Sequence, residues 1–302
     1  MIVLCKRKGD DGVKILVSSD TSCVLNYGLL KKHGISFFPL NVIVDGEEFL
    51  DGVNISQQEL AIAMRSNKII KTSTPPLGVI LDYFENLFEQ GYDHIIHFTI
   101  SSKLSSMYNL FKNVSESYFE NKITVIDSYS LSCGMLNNVL YANEEVSKGT
   151  NLDEICANIE ERKKQSLVLF IPENLTALKN GGRISSIAAA FGNTIGLKPI
   201  ISLVDGELVK TGMTTVLKKA FNDKFVKLKE SYLTTDYDYS LVHFDAKENI
   251  FEGIINNFVS LFDGYEPLLG VIPINVCAHC GPGSIGVVVS PKINGKSLKD
   301  FI

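Results

Sequence analysis

Between residues 13 and 164 short apolar runs alternate with stretches of helical periodicity, and that alternation restricts the fold of the 302-residue chain more than any other feature. Residues 13–18, 94–100 and 123–126 read as buried strands. The stretches ending at His33, and those covering 105–119, 132–147 and 153–164, read as helices between or after them. Such βαβ repetition closes as a parallel sheet with helices on both faces. Local signals agree. Val42 and Val44 alternate before Asp45-Gly46, a hairpin dipeptide, with Phe49 returning. Ser56 followed three residues later by Glu59 is a capping box. Thr74 before Pro75 predicts a cap and first-turn proline for the helix carrying Leu77, Ile80, Leu81, Phe84, Leu87 and Phe88.

From about residue 166 the pattern changes. Strands are expected at 167–171, 199–204, 208–211, 240–244, 271–277 and 285–289, with a turn at Asp205-Gly206 and helices near 215–233 and 247–262. This is an α+β arrangement. At about 150 residues per domain the length also predicts two domains, 1–165 and 166–302.

Composition excludes several function classes. Lys and Arg number 29 against 34 Asp and Glu, a net charge of −5 without blocks, so no basic face invites nucleic acid. No window approaches the ~18 apolar residues of a membrane span. Residues 1–8 run apolar first and basic second, the reverse of a signal peptide, so the cytoplasm is the expected compartment. The six cysteines read as reduced and mostly buried, because a core this large needs no disulfide framework. Cys277-Ala278-His279-Cys280 is half of a zinc or redox motif, with no second pair of ligands to complete it, and reads as a packed strand end.

Gly281-Pro282-Gly283-Ser284-Ile285-Gly286 spells a dinucleotide fingerprint, but Val287-Val288-Val289 continues as a strand where a helix is required. Gly295-Lys296-Ser297 lacks the leading glycine of a P-loop, since position 290 is serine. Three polar clusters carry more weight. Lys71-Thr72-Ser73-Thr74-Pro75 and Ser101-Ser102-Lys103-Leu104-Ser105-Ser106 follow apolar runs. Asn180-Gly181-Gly182-Arg183-Ile184-Ser185 sets an arginine beside two glycines. Hydroxyls, free N–H groups at a helix start and a guanidinium together make an anion site, and His279 stands in a Gly-Pro-Gly turn that can join them. Taken singly, each cluster reads first as caps and turns; the three together with His279 favour a shared anion site.

In order, these fragments resemble the DegV family. The resemblance rests on Asp20-Thr21-Ser22, Pro39-Leu40 with the Asp45-Gly46 hairpin, Asp51-Gly52-Val53, and Lys71-Thr72-Ser73. It continues through Ser101-Ser102, Leu104-Ser105 before Tyr108, Val125-Ile126-Asp127-Ser128, Leu178-Lys179 with Gly181-Gly182-Arg183-Ile184-Ser185, Lys198-Pro199-Ile200, and Ala278-His279 with Gly281-Pro282-Gly283. It spans residues 13 to 290. The resemblance implies an N-terminal three-layer α/β domain with a parallel sheet, a second α+β domain, and a ligand at their junction. That ligand is one long-chain fatty acid with its acyl chain in an apolar tunnel. The protein would be the lipid-presenting subunit of a fatty acid kinase, with ATP held by a separate kinase subunit. It would have no catalytic residue, metal or cofactor of its own. The family's carboxylate ligands fall on Thr72 and Ser105, with Arg183 and His279 nearby.

The chemistry of these residues is compatible with that role. A carboxylate removed from water stays ionised only if several donors meet it, which Thr72, Ser105, the N–H of Ser106 and Arg183 would do. Some 14 buried methylenes at about 0.8 kcal/mol each would supply roughly 11 kcal/mol before entropy costs. Residues 188–191 and Ile195 to Leu197 are candidates for the tunnel wall. The chain departs from the family at Ser106-Met107, where Gly-Thr is usual, and at Thr74, where glutamine is usual. It departs again at Met213, where an arginine associated with kinase engagement is usual. Two alternatives follow: a stand-alone lipid carrier or sensor, and a serine hydrolase using Ser105 and His279, although no G-x-S-x-G elbow is present.

Overall fold

A computed structural model describes residues 12–23, 27–183 and 196–302. The chain runs β1 (Ile15–Asp20), α1 (Tyr27–Lys32), β2 (Ser36–Phe38), the hairpin β3 (Asn41–Val44) and β4 (Glu47–Leu50), α2 (Gln57–Arg65) and β5 (Ile70–Ser73). It continues through α3 (Leu77–Glu89), β6 (His94–Thr99), α4 (Met107–Tyr118), β7 (Ile123–Asp127), α5 (Ser132–Lys148) and α6 (Leu152–Gln165). The remainder is β8 (Leu167–Ile171), α7 (Thr176–Asn180), β9 (Lys198–Val204), β10 (Glu207–Thr214), α8 (Leu217–Ser231), β11 (Tyr237–Phe244), α9 (Glu248–Leu261), β12 (Leu268–Val271), α10 (Ile274–Cys280) and β13 (Ser284–Pro291).

The described residues form three sheets. β2-β1-β6-β7 is parallel throughout, as the βαβ pattern requires. β4-β3-β5 is a small antiparallel sheet beside it. The second half forms β10-β9-β8-β13-β11-β12, antiparallel except for the β11–β12 pair. α5 packs against both β1 and β13 and is buried along nearly its whole length, with only its last turn reaching solvent. A single hydrophobic cluster accordingly runs from Val17 and Ile96 through Leu136 and Val139 to Val168 and Val288.

The local signals behave as their chemistry dictates. Asp45 (φ 50°) and Gly46 (φ 90°) make the primed turn between β3 and β4. The capping box closes both ways: Glu59 N–H donates to Ser56 Oγ at 3.2 Å, and Ser56 N–H to Glu59 Oε2 at 2.8 Å. Ser284–Pro291 forms a strand directly after the glycines at 281 and 283, so no helix N-terminus follows them.

Three expectations need correction. Thr74 does not cap α3, which begins at Leu77 behind Pro76 with no side-chain cap. Pro75 precedes a second proline, and a residue before proline is driven out of the helical region, so the start shifts two positions. Residues 271–277 are not one strand. β12 ends at Val271, Pro273 initiates α10, and Cys277 to Cys280 is a helix end rather than a strand end. A short, mostly apolar run broken only by Asn275 reads equally as a buried strand or a buried helix, and the proline decides. α4 starts at Met107 rather than Ser105: Ser106 is its N-cap, with the Ser106 carbonyl accepting Leu110 N–H at 3.0 Å, and Ser105 belongs to the preceding turn, its N–H on Ser101 O at 3.1 Å.

Candidate functional site

In the parallel sheet β1 connects to β2 on one side and the chain returns to β6 on the other, so the crevice beyond the carboxyl ends of β1 and β6 is the topological switch point. Asp20 organises it. Its Oδ1 accepts Ser22 N–H at 2.8 Å and its Oδ2 accepts Ile100 N–H at 2.8 Å, which ties the ends of the two strands together. Burial pushes the Asp20 carboxyl up to about 6 despite these donors. Asp127 at the end of β7 accepts Ser102 N–H at 3.0 Å and Tyr129 N–H at 3.1 Å. Two carboxylates therefore fix the 100–106 loop on which Ser105 and Ser106 stand.

A cavity opens between this edge and the second sheet, with about 1110 Å³ of space between protein atoms, its mouth included. Thr72, Ser105, Ser106, Arg183 and His279 all line it. Opposite them the wall is apolar, built from Val168 and Phe170 on β8, Val242 on β11, and Gly286 and Val288 on β13. These share one sheet face, since Gly286 pairs with both Phe170 and Val242, and Val288 with Val168. The candidate wall residues 188–191 and Ile195 lie outside the described residues.

The polar group is held as follows. Thr72 Oγ1 and His279 Nε2 are 3.0 Å apart across 207 residues of sequence. His279 Nδ1 is buried without a hydrogen-bond partner among the described residues. Burial, and secondarily the charge of Arg183, holds the imidazole down to about 4, so it is neutral at pH 7. A neutral ring that donates from Nε2 to Thr72 leaves the threonine O–H free to donate onward. The Arg183 guanidinium reaches two carbonyls, Gly181 O at 2.6 Å from Nη1 and Leu104 O at 3.3 Å from Nε, which clamps α7 to the Ser105 loop. No acid orients His279 in the manner of a hydrolase triad among the described residues, and its ring bonds Thr72 rather than Ser105. Met213 lies on β10 opposite Pro199 and is not among the residues lining the cavity.

Sequence reasoning missed two parts of this site. Asn275 lines the cavity one helical turn before His279; its N–H donates to Asp51 Oδ2 at 3.1 Å and its Nδ2 to Ser22 Oγ at 2.7 Å. The β9–β10 hairpin reaches across the cavity, with Leu208 in the wall and Gly206 O accepting from Ser101 Oγ at 2.7 Å. A Cβ at Gly206 would meet Ser101 Oγ at 2.5 Å, so this approach requires glycine. Neither is signalled locally, since each depends on residues far apart in sequence.

A family model described as an uncharacterised protein of the DegV family matches residues 14–292. A DegV domain-containing protein of Clostridium acetobutylicum is 30% identical over 288 residues, covering 92% of this chain and 99% of the relative. Among solved structures, a stearic acid-binding protein from Eubacterium ventriosum is 27% identical with a TM-score of 0.82, over 92% of this chain and 98% of that one. The fatty acid binding protein DegV from Bacillus subtilis has the same fold at 23% identity and a TM-score of 0.82, over 92% and 99% of the two chains.

Proposed function

The chain belongs to the DegV family, and on that footing we propose that it binds one long-chain fatty acid, carboxylate toward Thr72 and Ser105, acyl chain over the apolar face of the second sheet. The observation that carries this reading is the cavity itself: hydroxyls and a neutral His279 at one side, and a continuous wall of valine, phenylalanine and glycine opposite. An apolar pocket with a few convergent donors is what a long-chain carboxylate needs. Residues 1–165 would supply the head-group loop and residues 166–302 most of the tunnel.

Thr72 O–H, oriented by His279, and Ser105 O–H donate to the carboxylate, while Arg183 and the N–H of Ser106 add positive potential nearby. Kept ionised, that carboxylate remains a nucleophile. On this reading the protein works in a bacterial cytoplasm and presents the acid to a separate ATP-binding kinase subunit, which forms the acyl phosphate. The resemblance supports this coupling and Met213 bears on it: Met213→Arg should raise any kinase-dependent phosphorylation without altering lipid affinity.

Organic extraction and mass spectrometry of the purified protein test the binding reading. A stoichiometric long-chain acid is expected. Its absence, together with no uptake of added tetradecanoic or octadecanoic acid, overturns the reading.

A further inference from the structure

Asn275 is 6% exposed, and its two amide atoms are treated differently by the fold. Nδ2 is fixed on Ser22 Oγ at 2.7 Å, and the main chain beside it is fixed on Asp51 at 3.1 Å. Oδ1 has no hydrogen-bond partner among the described residues, although it is buried and its residue lines the cavity. A buried acceptor with no donor is costly, and a saturated hydrocarbon chain passing it leaves that cost in place. Its position is informative. Asn275 and His279 are four residues apart on α10 and so share one face, with Cβ atoms about 5–6 Å apart. If the carboxylate sits at Thr72 and His279, Asn275 Oδ1 faces the chain a few carbons further on.

We infer that Asn275 forms a subsite for a hydroxyl group near the carboxyl end of the acyl chain, so that the preferred ligand is a 3-hydroxy fatty acid. The inference rests on the fatty-acid reading above and narrows its substrate class. The chemistry selects a hydroxyl over a second carboxylate. The open atom is an acceptor and wants an O–H donor. Behind it stand Asp51, bonded to its own main chain, and Asp20, bonded to the main chain of Ser22, which repel an anion. The tether to Ser22 holds the amide still, so the acceptor is aimed before the ligand arrives.

Delipidated wild-type protein is titrated with tetradecanoic acid, 3-hydroxytetradecanoic acid, octadecanoic acid and 12-hydroxyoctadecanoic acid. About tenfold tighter binding of the 3-hydroxy acid than of its parent is expected, with no such gain for the 12-hydroxy acid over octadecanoic acid. In Asn275→Leu the ratio for the first pair should fall to about one. If that variant does not fold, the wild-type ratios alone decide. Equal or weaker binding of the 3-hydroxy acid, an equal gain for the 12-hydroxy acid, or a ratio that survives in Asn275→Leu each overturns the subsite. Failure of all four acids to bind overturns the fatty-acid reading instead.

Discussion

Gly181 lies against the imidazole of His279 so closely that a Cβ built on it would stand 3.0 Å from the ring Cε1 and overlap Nδ1. The glycine at the end of α7 is therefore part of the mechanism that presses His279 onto Thr72. Gly181→Ala should displace the ring and break the Thr72 bond, lowering fatty-acid affinity by about 1 kcal/mol, roughly five- to tenfold. Overpacking should also cost about 1–3 kcal/mol of stability. Calorimetric titration alongside thermal unfolding checks this; unchanged affinity in a folded variant would show that His279 does not need its present position.

Thr72 and Ser105 should act on one carboxylate. Thr72→Val and Ser105→Ala should each weaken binding by about 1–3 kcal/mol, and the double variant should depart from additivity because both donors meet the same group. Strict additivity in a double-mutant cycle would separate the two hydroxyls.

Acidification should destabilise the protein through His279. Its folded value, near 4, lies below the ordinary 6.5, so between those limits the unfolded chain holds a proton that the folded chain does not. Stability is therefore lost as pH falls from about 6.5 toward 4. Buried His97, held down to about 3, acts in the same sense. Asp20 opposes them: raised to about 6, it favours the folded state as pH falls through 6 toward 3.8. His279→Gln should flatten the acid limb of a plot of Tm against pH, and Asp20→Asn should steepen it. The reverse outcome in either variant would refute the assignment.

The Ser101–Gly206 hydrogen bond should act as a latch on the hairpin that covers the cavity. Ser101→Ala removes about 0.5–1.5 kcal/mol of contact without adding bulk. Release of a bound fluorescent fatty acid should quicken severalfold, with the equilibrium stability falling by no more than about that amount. An unaltered release rate would mean that ligand leaves by another wall.

Much of this was legible because the signals are local. Asp45-Gly46 needs only its own φ angles, and Ser56 and Glu59 need only each other. The strand ends that carry Thr72 and Ser105 were readable as hydroxyl clusters after apolar runs, and the family pattern supplied their likeness to a carboxylate site. What was illegible involves competition or distance. The segment from Ile272 to Cys277 carries one polar residue, Asn275, too few to separate a strand period from a helical one, and Pro273 settles it. The pairing of Thr72 with His279, the link from Asn275 to Ser22 and the reach of Gly206 to Ser101 span 207, 253 and 105 residues. Such contacts are products of the assembled sheets.

The burial of α5 between the two sheets has a consequence for traffic. A protein whose halves swing apart like a clamshell must have a seam that water can enter. Here the seam is filled by Leu136, Val139 and Leu140, none more than 1% exposed, and packed into the same cluster as valines of both sheets. Parting the halves would strip that helix of its neighbours on one side, at a cost approaching global unfolding. A ligand of the proposed kind would therefore have to pass the rim, where short elements can yield one at a time while the framework stays shut.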